Sequence, residues 1–477
     1  MKKLFALLGV FCALCFVACS NFQLAGGDMG VVSLSIGDNL AREIRSAAAS
    51  RNVADGTYTL TASIRGEYSD SQTVAVANGN YSGVTFTFED VPVGKRIILD
   101  LTAKADGNYI WYGNSGKHMV VSGINNLNVA VGRVSGVLMW KRTVDGGQIA
   151  PYGNLNSEDS PSLPSNLPDN PFWCFDNTGN LYWYGQGGGV RCYKSDNSYR
   201  SSEKYNATSL FSALSYDNVA SILYGITEFH IEKLTTSSSD QIINIYNKGT
   251  TPIGFAVHNG IAYVANQSSE DDNGIPSITI VSFDLTTKSF TSGTEFKLPT
   301  VFGGQPTCQM IYQEGALYLM VSGVEDSSPT LVSSVGAVVK IDPTTLRLDA
   351  SFGTDGYLGL STERKVPYQD WSGENQLCSV YAASSPTEQV FSRPLSFVAI
   401  MPKKLVIADA GCIVYDEIAS PGDYPRLRGG VVSRIVTVDL ETQSLGFENL
   451  NPEQYYWTGN PLGSSVDISP DTSSSSF

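Results

Sequence analysis

Few residues in this 477-residue chain are of the types that do chemistry. The histidines are His118, His230 and His258. None belongs to an HExxH pair or stands four residues from another, so a helical zinc-protease site is excluded on ligand spacing. Each is expected to be exposed or hydrogen-bonded, without a catalytic partner. No GxSxG elbow presents a serine nucleophile. The run Gly185-Gln186-Gly187-Gly188-Gly189 is rich in glycine, but a phosphate cradle needs a helix to begin after it. Val190, Cys192 and Tyr193 read instead as a strand, which makes the glycines a hairpin turn. Ser269-Glu270-Asp271-Asp272-Asn273-Gly274 crowds hard oxygen donors beside a glycine. Glu270, Asp271 and Asp272 are therefore candidate calcium ligands, although the EF-hand spacing and its closing Glu are missing. A solvated acidic loop between strands is the preferred reading. No catalytic residue, metal or cofactor is expected from these patterns. Asp176, Asp409 and Asp439 remain as carboxylates whose convergence a sequence does not reveal.

Aromatic residues are the other lead. Trp173, Trp183, Trp371 and the run Tyr455-Tyr456-Trp457 exceed what loops need. Trp173 and Trp183 read as packing between sheets. Trp371, Tyr455, Tyr456 and Trp457 are candidate contacts for a carbohydrate or a protein, because large amphipathic rings anchor such ligands.

The elements that hold these residues begin with a leader. Lys2 and Lys3 precede an apolar run from Leu4 to Ala18, followed by Cys19. A basic start, an apolar core and a small residue before a cut describe a secretory signal peptide over 1–18. The run is shorter than the roughly 20 residues that span a bilayer. Phe16-Val17-Ala18-Cys19 resembles the lipobox of bacterial lipoproteins, with Phe16 where Leu is common, a substitution that spirochaetal lipoproteins tolerate. The resemblance implies that Cys19 is acylated and becomes the first mature residue, with 19–30 as a tether. Several acyl chains would then hold the chain on a membrane, with the outer membrane of the cell envelope favoured.

Composition agrees with an extracytoplasmic setting. There are 31 Lys and Arg against 46 Asp and Glu, a net charge of −15, and loss of the leader makes it more negative. Such a surface repels nucleic-acid backbones and anionic headgroups, so no nucleic-acid partner is expected, and contact with the membrane is expected through the lipid anchor only. Beyond Cys19 lie Cys174, Cys192, Cys308, Cys378 and Cys412. An odd, scattered set without CxxC spacing is neither a disulfide framework nor a zinc site. Cys174 and Cys192 are the pair nearest in sequence, and a bridge between them is not expected.

Residues 31–133 alternate with period two. Tyr58, Leu60, Ala62 and Ile64 interleave with Thr59, Thr61 and Ser63, and Phe86 and Phe88 with Thr85 and Thr87. About seven strands in roughly 100 residues, with turns at Asn78-Gly79 and Asp106-Gly107, predict an immunoglobulin-like sandwich. Thr85 to Gly94 resembles a strand pair of transthyretin-like modules, which implies a hairpin closed by the Pro-Gly turn. A short helix is expected within Asp38–Arg51.

Residues 134–470 repeat loosely. Gly179-Asn180-Leu181-Tyr182-Trp183, Gly260–Ala265, Gly315–Met320 and Lys404–Asp409 each read as a turn followed by a buried strand. Asp284-Leu285-Thr286-Thr287, Asp342-Pro343-Thr344-Thr345 and Asp439-Leu440-Glu441-Thr442 each read as a strand ending in a turn-capping Asp. Four short strands per 40–60 residues mark a β-propeller. Units are recognised near 167–205, 208–248, 252–298, 306–353 and 392–449. A sixth would form from Asp355–Ala383, or by joining Tyr455–Ile468 to Val137–Arg142. Phe175–Tyr182 resembles NHL-type repeats, and Leu348–Gly356 resembles an LDxSFGxxG phrase of bacterial propeller repeats. The expected fold is all-β, a sandwich followed by a propeller of five to seven blades, six favoured, with 471–477 as a tail.

The function expected of this architecture is that of a membrane-anchored cell-envelope lipoprotein whose propeller is a non-catalytic binding module for a protein or carbohydrate. Two alternatives stand beside it: a propeller enzyme of lactonase or sugar-dehydrogenase type, and a scaffold subunit of an envelope assembly machine.

Overall fold

A computed structural model describes residues 28–449, apart from 43–57, 152–171, 195–201, 246–251, 269–276, 382–387, 414–430 and several shorter stretches. The leader, Cys19, most of the tether and the tail lie outside the described residues. So does most of the helix expected at Asp38–Arg51, of which helical backbone at 38, 39, 41 and 42 is seen. Among the described residues no helix is long and apolar enough to cross a membrane.

The chain is all-β. The described residues up to Arg133 form two sheets around one core. The smaller sheet has the order Thr85–Pro92, Met29–Ser35, Gly123–Asn126, the last pair running parallel. The larger has the order Asp70–Val76, Tyr58–Gly66, Arg96–Ala105, Asn108–Asn114, Ala130–Arg133, with His118–Met119 pairing Arg96–Ala105. Alternation decides which face is buried. Leu60, Ala62, Ile64, Leu99, Leu101 and Ala103 of the larger sheet meet Val32, Leu34, Phe86 and Phe88 of the smaller in a single cluster. On the outer face Thr61 pairs Thr73 and Ser63 pairs Ser71 through their hydroxyls. The hairpin expected at the Pro-Gly turn and the turn expected at Asn78-Gly79 both fall instead between sheets. The strands on either side of Asn78-Gly79 belong to different sheets, as do those flanking Pro92-Val93-Gly94. Both crossings follow from the shared core: each carries the chain from one layer to the other.

After Arg133 the described residues form five sheets, built mainly of antiparallel pairs. Sheet I comprises Phe172–Phe175, Leu181–Tyr184, Val190–Tyr193 and Ser202–Tyr205; sheet II comprises Ala213–Asp217, Ile222–Ile226, His230–Leu234 and Ser239–Asn244. Sheet III comprises Pro252–His258, Ile261–Ser268, Ser277–Asp284 and Phe290–Ser292, with Phe296–Lys297 at its edge. Sheet IV comprises Thr307–Gln313, Ala316–Ser328, Leu331–Asp342 and Arg347–Leu348. Sheet V comprises Pro394–Met401, Lys404–Ile413, Val431–Asp439 and Ser444–Asn449.

The stretch expected to supply a sixth unit does something else. Arg364–Gln369 and Asn375–Tyr381 form a hairpin that extends sheet IV, Leu331–Ser333 pairing in parallel with Ser379–Tyr381. Ser135–Arg142 pairs with Pro394–Met401 of sheet V and with Gly146–Pro151. Its expected partner, Tyr455–Ile468, lies outside the described residues.

The two recurring turn phrases are now explained. The first joins strands one and two of a sheet. At Asn259-Gly260 and Glu314-Gly315 both loop residues have positive φ, +50° and +73°, +47° and +82°. This is the type I′ geometry that matches strand twist and that glycine supplies without strain. The second joins strands three and four. Asp284, Asp342 and Asp439 each accept the backbone N–H groups two and three residues ahead, and Lys288, Leu346 and Gln443 each take a positive φ four residues on. In sheet II, Thr235 Oγ1 does the same work for Ser237 and Ser238.

Neighbouring sheets contact one another in a closed order. Tyr182 stacks on Tyr216 between I and II at 4.8 Å. Asp217 accepts from Asn259 N and Gly260 N between II and III. His258 stacks on Tyr312 between III and IV at 3.7 Å. Gln309 Oε1 accepts from Phe397 N between IV and V, and Trp173 Nε1 donates to Phe397 O between I and V.

Candidate functional site

The first strand of each sheet faces a common centre, where a cavity of about 80 Å³ is partly open to solvent. Sheet I supplies Trp173, Cys174 and Phe175; sheet II supplies Ala213 to Tyr216 and Asn218; sheet III supplies Gly254, Phe255, Val257 and His258. Sheet IV supplies Cys308 to Tyr312, and sheet V supplies Phe397. These strands are buried on both faces, as in Pro252–Val257, so hydrophobic periodicity does not reveal which of their residues face the centre.

Polar groups of the lining are partly committed. Ser215 Oγ accepts from Val257 N at 2.8 Å, and Gln309 Oε1 accepts from Phe397 N at 2.7 Å. The second bond leaves the Gln309 amide N–H groups for another partner. The His258 ring lies almost parallel to Tyr312, at 7°, and Tyr263 stacks on the same Tyr312 at 6.3 Å. Burial pushes the Cys174 and Cys308 thiols well above their ordinary range, so both stay neutral and neither is an activated nucleophile. Among the described residues no Asp, Glu, Lys or Arg lines the cavity. An ion placed there would lose its hydration against no countercharge, at a cost of several kcal/mol. The lining suits an uncharged ring or an aliphatic group.

The carboxylates that convergence would require are held elsewhere. Asp176 accepts from Asn180 N, Asn180 Nδ2 and the Tyr182 hydroxyl. Asp439 accepts from Arg65 and from its own turn. Asp409 is fully buried on the second strand of sheet V. None of the three is a lining residue. Among the described residues no group of three or more His, Cys, Asp or Glu side chains gathers as a metal site.

Two of the three histidines are hydrogen-bonded, one of the two states expected of them. His118 Nε2 lies 3.0 Å from Asn125 Oδ1. His230 Nε2 lies 2.6 Å from Glu232 Oε1 and 3.4 Å from Ser209 Oγ. Ser209 and Ser239 also donate to Glu232. A serine, a histidine and a carboxylate therefore meet, but not as a relay. A catalytic triad needs the acid and the serine on opposite ring nitrogens, whereas here both face Nε2 and the serine proton goes to the carboxylate. Burial alone would raise the Glu232 carboxyl, but the Ser209, Ser239 and His230 donors outweigh it and hold it below the ordinary range. The arrangement satisfies a buried carboxylate.

Trp173 and Trp183 are both buried; they pair across neighbouring strands of sheet I, and Trp173 reaches sheet V. Cys174 and Cys192 lie on either side of Tyr182 in the ladder, two strands apart, and are free thiols. Asp349 of the Leu348–Gly356 phrase accepts from the backbone and hydroxyl of Ser351 and pairs with Lys340, which makes it a turn anchor. Glu270, Asp271, Asp272, Trp371, Tyr455, Tyr456 and Trp457 lie outside the described residues. The lining residues His258, Gln309 and Tyr312 were not singled out as a site from sequence. The signal available was a polar residue inside an otherwise buried first strand, as with Ser215 and Gln309.

No known protein family and no curated protein matches the sequence. Among solved structures, the chain is similar to the dihydro-heme d1 dehydrogenase NirN at 9% identity and a TM-score of 0.28, over 87% of this chain and 75% of that one. It is similar to a GH43 endo-arabinanase from Bacillus licheniformis at 16% identity and a TM-score of 0.26, over 58% and 96%. A phage phi92 endosialidase is similar at 10% identity and a TM-score of 0.24, over 87% and 59%. Similarity at this level carries no argument about chemistry, and the arrangement of the sheets rests on their own pairings.

Proposed function

We propose that the chain is a cell-envelope lipoprotein in which a β-sandwich carries a five-bladed β-propeller, and that the propeller is a non-catalytic binding module. The observation that carries the reading is the cavity where five first strands converge, lined among the described residues by no Asp, Glu, Lys or Arg. It supports capture of a partner, protein or carbohydrate, that inserts an uncharged ring or aliphatic group beside Tyr312 and His258. An enzyme of lactonase or sugar-dehydrogenase type would draw on carboxylates at that centre as metal ligands or base. Asp176 and Asp439 are instead engaged at turns. Five sheets in closed contact favour five blades over six, because the Arg364–Tyr381 hairpin enlarges sheet IV.

Binding is tested with p-cresol, the side-chain analogue of tyrosine, titrated against the purified chain without its leader and followed by ligand-observed NMR. Saturable binding that weakens at least tenfold in Tyr312→Ala is expected. Metal-dependent hydrolysis of a lactone, lost on substituting a carboxylate, would install the enzyme instead. The anchor is tested separately. Cys19→Ser is expected to abolish palmitate labelling and release the chain from the membrane fraction, and retained label would remove the lipoprotein reading.

A further inference from the structure

Large apolar side chains are exposed together at one end of the N-terminal unit. Met29 is 47% exposed, Met119 52%, Val121 55% and Ile124 70%. The backbone draws them together. Gly30 pairs with Gly123 and Val31 with Ile124. Gly30 lies so close to the 120–121 segment that a Cβ there would sit 2.6 Å from Val121 O. Asp28 O accepts from Val93 N, Val120 O accepts from Gly94 N, and Met119 pairs with Arg96. Two segments distant in sequence, at 29 and at 119–124, thus bring their exposed apolar residues to one end, where water-exposed hydrocarbon calls for a partner.

The same end receives the chain from its N-terminus. Eight residues lie between Cys19 and Asp28, a reach of about 30 Å even fully extended. We infer that this surface, Met29, Met119, Val121 and Ile124, rests on the bilayer that holds the acyl chains, so that the N-terminal unit lies against the membrane and is not a free spacer. The inference rests on acylation of Cys19. A short tether keeps the bilayer at high effective concentration beside the surface, so weak contacts suffice. Charge in the segments around it is nearly balanced: Lys95, Arg96 and Lys117 are exposed, as are Asp28, Glu67, Glu89 and Asp90. The contact is therefore one of hydrocarbon with the lipid interface, indifferent to headgroup charge and to salt.

The test measures flotation of the mature chain, from residue 19 onward, with phosphatidylcholine vesicles, as acylated wild type and as Cys19→Ser, each with and without Val121→Asp and Ile124→Asp. Both aspartates replace exposed residues, and circular dichroism checks that the fold is kept. Methionine oxidation by peroxide gives a second readout. The Cys19→Ser chain is expected to bind weakly, and the two aspartates are expected to lower that binding at least tenfold. The weak binding should be unchanged by anionic lipid or by 0.1 against 0.5 M salt, to the order of magnitude that screening would produce. Met29 and Met119 in the acylated chain should oxidise several-fold more slowly on vesicles than in solution. Wild type that floats no better than Cys19→Ser would remove the anchor reading alone. Flotation and oxidation unaffected by the aspartates would overturn this inference whether or not Cys19 is acylated. Dimerisation lost in the aspartate variant, or slow oxidation in solution that is relieved by Phe22→Ser and Leu24→Ser, would overturn it too, by assigning the surface to a second copy or to the tether.

Discussion

Arg65 of the N-terminal unit donates to Asp439 of sheet V, 374 residues away in sequence, while its Nε donates to Asp100 on the neighbouring strand. Lys404 Nζ completes the group, 3.5 Å from Asp100. Asp100 and Asp439 are almost fully buried. The same Asp439 caps the last turn of sheet V, so one carboxylate ties a local turn to the junction between two units with separate cores.

Removing the guanidinium should therefore cost more than a surface ion pair. Arg65→Ala leaves two buried carboxylates to share Lys404, and the expected loss is about 2–4 kcal/mol, reduced from the fully buried case because Arg65 is partly exposed. Urea unfolding should show this as a lower midpoint, with sheet V becoming more sensitive to protease. A change within about 0.5 kcal/mol would mean that the junction is held by other contacts.

Asp217 accepts from Val219 N and Ala220 N of its own turn and from Asn259 N and Gly260 N of sheet III. In Asp217→Ala four backbone donors lose their acceptor at a site with no exposure. A loss of about 3 kcal/mol or more is expected, read as a lower thermal midpoint. Asp217→Asn keeps an acceptor and should lose roughly half as much. Equal losses in the two variants would contradict the role of the carboxylate.

Glu232 makes stability depend on acidity. Its folded carboxyl titrates below the ordinary value of 4.5. The stabilisation is thus present above about pH 4.5 and is lost as pH falls through the folded value. Ser209→Ala with Ser239→Ala removes two donors and leaves only His230 to oppose burial, so the acid unfolding midpoint should move up. Glu232→Gln should lower stability at pH 7 and flatten that limb. An acid limb identical in all three proteins would show that Glu232 does not govern it.

Much of this fold was legible because turns carry chemistry that spacing exposes. Asp284, Asp342 and Asp439 each precede a Thr two or three residues on, and all three cap the same turn. Asn259-Gly260 and Glu314-Gly315 announce their hairpins in the same way. Pairing between sheets was less legible. Asn78-Gly79 carries the composition of a hairpin, yet the strands on either side of it belong to different sheets, because the shared core of Leu60 and Phe86 decides which strands become neighbours. The cavity was hidden for a related reason. Ser215, Gln309 and Tyr312 sit in strands buried on both faces, where period-two patterning disappears, and His230 with Glu232 meets Ser209 only once sheet II is formed.

The most direct measurement is p-cresol affinity compared across wild type, Tyr312→Ala and Leu377→Ala, the last an exposed control. Saturable binding to wild type and to Leu377→Ala, at least tenfold weaker in Tyr312→Ala, is the result expected of an uncharged receptor site at the centre of the five sheets. Equal affinity in all three proteins, or no binding at millimolar ligand, would contradict it.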